Sequence, residues 1–201
     1  NISDYSYYKK YFAEADIVIC ADGGADHARR FGIKPDYLIG DFDSVNNSNL
    51  NYFREIGTNI LTFPAEKDMT DTELAVEFAI EKGASKVIII GGIGTRFDHT
   101  LANVFILRKL LSLGIKGIIA DENNEITLID SSIKLQKEES SKISVLPLTS
   151  RVEGITNKGL YYKLDNFTLD MGSSRGISNE FISDTAEISI KKGLLLVIKS
   201  R

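Results

Sequence analysis

Aspartate recurs where apolar runs stop. Asp22 follows Ile17-Val18-Ile19-Cys20-Ala21, Asp41 and Asp43 follow Tyr37-Leu38-Ile39, and Asp68 and Asp71 close the segment that opens at Phe63. Asp98 comes after the glycine-rich run Gly91-Gly92-Ile93-Gly94-Thr95. Carboxylates gathered at strand ends repel one another unless something cationic joins them, and a hard divalent metal carrying a polyphosphate is the simplest such partner. Asp41 and Asp43 are two residues apart, so in extended backbone both side chains point the same way. That arrangement suits Mg²⁺, which takes oxygen ligands and keeps waters for phosphate. Asp41-Phe42-Asp43-Ser44 alone is also a good turn, but a turn does not call for Asp22 and Asp71 as well.

Asp68 and Asp71 flank a helix start. Thr70-Asp71-Thr72-Glu73 has the spacing of a capping box, with the Thr70 hydroxyl and the Glu73 carboxylate satisfying free amides of the first turn. Thr70 as cap leaves Asp71 available to a metal, and a phosphate can use the same amides. Gly91-Gly92 lets backbone approach a phosphate closely. The run is not a Walker loop, since no Gly-Lys-Ser/Thr follows, nor a dinucleotide fingerprint, since Phe97 stands at the last glycine position. Arg96 and Asp98 strengthen it, because a guanidinium neutralises charge on a transferring phosphoryl group. A surface ion pair is the plainer role for Arg96. His27 and His99 are the two histidines, and with Cys20 inside an apolar run a zinc site is not expected. Gly172 to Phe181 reads as a hairpin loop or as a small-molecule site. In the second case Ser178 and Asn179 are hydrogen-bonding groups and Phe181 is a stacking face.

Those residues need a scaffold that brings strand ends together. Short β-branched runs at 17–21, 37–39, 59–63, 87–90 and 118–120 alternate with helical stretches at 25–31, 50–56, 70–82 and 97–113. Gly32, Gly57, Gly83 and Gly114 stop the helices. Alternation of this kind builds a mostly parallel sheet flanked by helices, and ligands bind beyond the carboxyl ends of its strands. From about Glu125 the helical period vanishes. Short alternating runs follow at 126–129, 143–148, 152–156, 160–164, 186–190 and 194–198, with Lys192-Gly193 as a hairpin turn between the last two. The expected fold class is therefore α/β, a mostly parallel sheet with helices, followed by an antiparallel β-sandwich or barrel. The expected domains are 1–130 and 131–201.

Composition narrows the function. Of 201 residues 43% are hydrophobic, enough for a packed core, and the net charge is −4. An acidic chain of pI about 5.3 argues against nonspecific nucleic-acid binding. The single cysteine excludes an internal disulfide framework. With no apolar run of membrane-spanning length and no visible signal peptide, a cytoplasmic protein without membrane association is expected.

Five motifs in order are similar to those of thiamine pyrophosphokinases: Asp22-Gly23-Gly24-Ala25; Gly40-Asp41-Phe42-Asp43-Ser44; Asp68-Met69-Thr70-Asp71; Gly91-Gly92 with Arg96-Phe97-Asp98; and Ser178-Asn179. The resemblance covers nearly the whole chain. It implies transfer of a diphosphoryl group from ATP to the thiamine hydroxyl, with Mg²⁺, in a homodimer that binds thiamine between the α/β domain of one subunit and the β domain of the other. Asp22, Asp41, Asp43 and Asp71 would hold metal and ATP phosphates, and Arg96 and Asp98 would lie near the phosphates and the acceptor. Ser178, Asn179 and Phe181 would border thiamine. The family's usual first strand has no counterpart before Ile17, and the nucleotide pocket is expected to lack that wall. Two other readings fit the same residues, diphosphoryl transfer to a hydroxymethyl-pterin and a non-catalytic thiamine or nucleotide sensor.

Overall fold

The computed structural model describes residue 2 and residues 4–43, 45–64, 66 and 68–201; Ser44, quoted above in the second motif, lies outside the described residues. The chain forms two compact units, Asn1–Asn103 and Val104–Arg201.

In the first unit, strands β1 (Ile19–Ala21), β2 (Tyr37–Gly40) and β3 (Asn59–Thr62) form a parallel sheet in the order β1-β2-β3. Helices α2 (Gly24–Phe31) and α3 (Asn47–Glu55) make the crossovers, after a short α1 (Lys9–Ala13). Ala25, Ala28, Leu38, Phe42, Leu50 and Phe53 form the core between the sheet and these helices. Helix α4 (Asp71–Glu81) follows β3 and packs on β1 and β2, with the Tyr37 and Phe78 rings 4.7 Å apart. Since α4 begins where the connection from β3 ends, its first turn lies on the side of the strands' carboxyl ends. Thr70 caps it as its spacing predicts, its hydroxyl accepting from the Glu73 N–H at 3.2 Å. Strand β4 (Lys86–Ile90) leads through the glycine-rich loop to α5 (Phe97–Ser112).

Cys20 lies on β1, and desolvation pushes its thiol up to about 12. At pH 8 it is therefore a protonated, inert side chain. Despite the greater intrinsic nucleophilicity of a high-pKa thiolate, a thiol reagent should modify Cys20 about a hundredfold more slowly than an ordinary cysteine. In guanidinium the difference should vanish. Stopped-flow reaction with a chromogenic disulfide checks this, and equal rates in the two states would show the site open.

The second unit is antiparallel, as the change of periodicity predicts. Strands β5 (Lys116–Ala120), β6 (Asn124–Ile129), β8 (Lys142–Pro147), β11 (Asn179–Glu180) and β13 (Leu195–Ser200) pair in the order β11-β8-β13-β6-β5. A second sheet runs β10-β9-β12-β7, from β7 (Ser132–Gln136), β9 (Arg151–Lys158), β10 (Phe167–Asp170) and β12 (Thr185–Ser189). Alternate residues of both sheets meet in one core, with Ile143, Val145, Leu195 and Val197 from the first and Val152, Ile155 and Ile188 from the second. Helix α5 covers β5 at Gly117, where an added Cβ would stand 2.8 Å from a Leu107 methyl and 2.9 Å from one of Leu110.

Two sequence expectations are corrected here. Lys192-Gly193 is not a hairpin turn, because β12 pairs with β7 and β9 while β13 pairs with β6 and β8. The segment is the crossing from one sheet to the other. Residues 160–164 are not a strand; Leu160 alone bridges to Phe181. Adjacent aromatics at Tyr161 and Tyr162 break the alternation that a half-buried strand requires.

Candidate active site

Parallel pairing of β1 with β2 brings their ends together. The Asp22 N–H donates to the Ile39 carbonyl at 2.8 Å, and a Cβ on Gly40 would sit 3.2 Å from both Cα and Cβ of Asp22. Glycine at position 40 is thus what lets Asp22 lie directly against the chain that presents Asp41. Asp41 in turn accepts from the Asp43 N–H at 3.1 Å, an Asx-turn that carries Asp43 out into solvent. Asp22 and Phe42 both adopt left-handed backbone, at φ 38° and 61°. Such conformations cost about 1–2 kcal/mol each in non-glycine residues and cluster where a site needs them.

Gly23 and Gly24 begin α2 directly after Asp22, so the first-turn amides of that helix face the same end of the sheet. Asp68 is exposed in the approach to α4, and Asp71, half-buried, is its first residue. The loop after β4 is fastened to α5: the Asn103 amide donates to the Gly92 carbonyl at 2.8 Å, and the Gly94 N–H donates to the Thr100 hydroxyl at 3.1 Å. Gly91 has φ 75°, the left-handed region that glycine enters without cost. Arg96 and Asp98 form a two-bonded ion pair, Nη2 to Oδ2 at 2.6 Å and Nε to Oδ1 at 3.3 Å. The Arg96 guanidinium holds the Asp98 carboxyl below the usual carboxylate range. Both side chains are about two-thirds exposed, so the pair contributes little to stability and can open to a phosphate. His99 stands in the first turn of α5, 4.0 Å from Asp98.

Among the described residues no three His, Cys, Asp or Glu side chains gather closely enough to cage a metal ion by themselves. The donor set still fits Mg²⁺, which is usually held by one or two carboxylates together with substrate phosphates rather than by an all-protein cage. Asp22 and Asp41, just past the ends of adjoining strands, would supply hard oxygens in that manner.

In the second unit Ser178 is exposed, with φ 59°, and its N–H donates to the Ser144 hydroxyl at 3.0 Å. Asn179 is buried and its amide is engaged internally: Oδ1 accepts from Tyr162 N–H at 2.8 Å and Nδ2 donates to the Tyr162 carbonyl at 2.7 Å. Phe181 is turned into the core, 8% exposed, against Leu160. The open aromatic faces near this stretch are instead Tyr161 and Tyr162, 64% and 62% exposed, with rings perpendicular at 5.0 Å.

A model of the thiamin pyrophosphokinase catalytic domain matches residues 8–119, and a model of the vitamin B1 binding domain of thiamin pyrophosphokinase matches residues 130–195. The chain belongs to the thiamin pyrophosphokinase family. Among curated relatives, the thiamine pyrophosphokinase of Bacillus subtilis is 32% identical over 192 residues, spanning 94% of this chain and 90% of that protein. Thiamine pyrophosphokinase 1 of rice, Oryza sativa subsp. japonica, is 25% identical over 93% of this chain and 80% of its own length. The crystal structure of the Bacillus subtilis thiamine pyrophosphokinase superposes with a TM-score of 0.89 at 30% identity, covering 99% of this chain and 92% of that one. That of the Geobacillus thermodenitrificans protein gives 0.84 at 28% identity, covering 100% and 92%.

On the thiamin pyrophosphokinase matches, Asp22 to Asp98 fall within the catalytic model and Ser178 to Phe181 within the vitamin B1 binding model. Sequence reasoning passed over Tyr161, Tyr162 and the buried Asn157. The paired tyrosines between Leu160 and Leu164 were the available signal, since two polar-tipped rings side by side cannot both enter a core.

Proposed function

We propose that this chain transfers a diphosphoryl group from ATP to the hydroxyl of thiamine, giving thiamine diphosphate and AMP. The observation that carries the reading is the run of both family domains along the chain, with Asp22 and Asp41 set side by side at adjoining strand ends in the catalytic match. The thiamine oxygen attacks the β-phosphorus of ATP, the bond from that phosphorus to the α-phosphate bridging oxygen breaks, and AMP leaves with the electron pair. Protein chemistry in such a displacement is positioning and charge neutralisation.

Asp22, Asp41, Asp43 and Asp71 would hold Mg²⁺ and, through it, the ATP phosphates, and the metal would supply charge neutralisation there. Gly23, Gly24, Asp68, Thr70, Gly91 and Gly92 shape the backbone around the phosphates. Arg96 swings from Asp98 to the transferring group. Asp71, or Asp98 once Arg96 has left it, takes the hydroxyl proton. Ser178 borders thiamine, with Asn179 and Phe181 supporting it from within the fold. We place residues 1–130 as the catalytic part and 131–201 as the thiamine-binding and dimerisation part of a cytoplasmic homodimer. No helix among the described residues is long and apolar enough to cross a membrane.

Mixing the protein with ATP, magnesium and thiamine should release AMP in equal amount to thiamine diphosphate. Chelation should stop the release and added magnesium should restore it. Release with a hydroxymethyl-pterin in place of thiamine would reassign the acceptor, and binding of thiamine without any AMP would make the chain a sensor.

A further inference from the structure

We propose that Asn157 and Asn179 are positioning residues that lock the Tyr161–Tyr162 segment into the shape thiamine meets. This rests on the thiamine reading of the second unit. Both asparagines are buried, and both hydrogen-bond the backbone of one residue, Tyr162, in an exposed segment. The Tyr162 carbonyl accepts from Asn179 Nδ2 at 2.7 Å and from Asn157 Nδ2 at 3.0 Å, while its N–H donates to Asn179 Oδ1 at 2.8 Å. On either side, Tyr161 N–H donates to the Glu180 carbonyl at 2.8 Å and the Leu164 carbonyl accepts from Asn157 N–H at 3.0 Å. Leu160 and Leu164 anchor the ends in the core, so the two tyrosine rings are presented outward on a backbone held at Tyr161, Tyr162 and Leu164.

Stability alone does not account for Asn157. Its Oδ1 is buried with no hydrogen-bond partner, and a buried orphan acceptor is costly. Beside Asn157 a cavity of about 30 Å³ is lined by Ile143, Val145, Leu160, Leu164 and Ile188 and also by Tyr162, Arg175 and Asn179. Leucine there would remove the orphan oxygen and add apolar packing, and the Tyr162 carbonyl would keep its bond from Asn179. Asparagine is explained by the second hold it gives on the Tyr162 carbonyl, which fixes the rotation of that peptide and the direction of both rings next to Ser178-Asn179.

The test is Asn157→Leu in the full chain. A melting temperature equal to or above wild type is expected. The KM for thiamine should rise about tenfold, with kcat and the KM for ATP unchanged. Amide exchange of the 160–164 segment should also quicken about tenfold, whatever the ligand. Asn157→Ala, which only trims the side chain, should shift both readouts in the same direction and serves if leucine does not fit. An unchanged thiamine KM with active wild type overturns the proposal, as does unchanged exchange. Wild type that makes no AMP from thiamine overturns the functional reading itself, a separate result.

Discussion

Asp43→Asn and Asp71→Asn should each lower AMP release at saturating thiamine by about two to three orders of magnitude. Their melting temperatures should stay within about 3 °C of wild type. Each change removes one charge and keeps the shape. Asp43 is exposed, and its backbone N–H, not its carboxylate, makes the turn to Asp41. Asp71 is the first residue of α4, but Thr70 supplies the cap. At Asp71 the loss to stability includes the dipole contribution of a first-turn acid, about 0.3–1 kcal/mol. Catalysis has no such reserve. A diphosphoryl group in flight carries charge, and on the proposed reading weakening the carboxylates that would hold the metal removes stabilisation felt most in the transition state. The variants should be measured across a magnesium series: recovery at high magnesium assigns the loss to metal affinity, and a persistent loss assigns it to proton removal or placement. Near-full activity of either variant at low magnesium would remove that aspartate from the metal site.

The strand ends that carry the aspartates were legible because their pattern is written along single strands. An apolar run that stops at an aspartate, with glycine beside it at Asp22-Gly23 and Gly40-Asp41, is a local pattern, and parallel pairing brings those two strand ends to one edge. What sequence could not show is the tightness of that edge. The need for glycine at position 40 comes from Asp22, eighteen positions away, pressing on it. The second unit was legible in class and not in pairing. Alternation reveals a half-buried strand but not its neighbour, so Lys192-Gly193 looked like a hairpin although its strands belong to different sheets. Asn179 shows the same limit at a single side chain. A polar residue beside Ser178 reads as a ligand-facing group until the fold shows its amide wrapped around the Tyr162 peptide. Nothing local marks a side chain that serves a segment seventeen residues earlier.

Gly159→Ala should be the most damaging single-methyl change in the second unit. Gly159 opens the Tyr161–Tyr162 segment at φ 76°, and a Cβ there would stand 2.1 Å from the Thr185 carbonyl oxygen and 2.7 Å from the Ser183 hydroxyl. Backbone strain in the left-handed region accounts for about 1–2 kcal/mol. The collision adds more, because Thr185 begins β12, where pairing with Gln136 of β7 and a hydrogen bond from the Ser183 hydroxyl to its carbonyl resist retreat. We expect a total of about 4 kcal/mol or more, which for a unit of this size lowers the melting temperature by about 15 °C or leaves the chain insoluble. Gly114→Ala is the matched control: the same unit, φ 71°, and nothing within 4 Å of the added methyl. It should cost only the strain, about 1–2 kcal/mol. The comparison separates backbone conformation from close approach. Equal losses in the two variants would mean that Gly159 is needed for its φ alone, and that β12 yields to the segment lying across it.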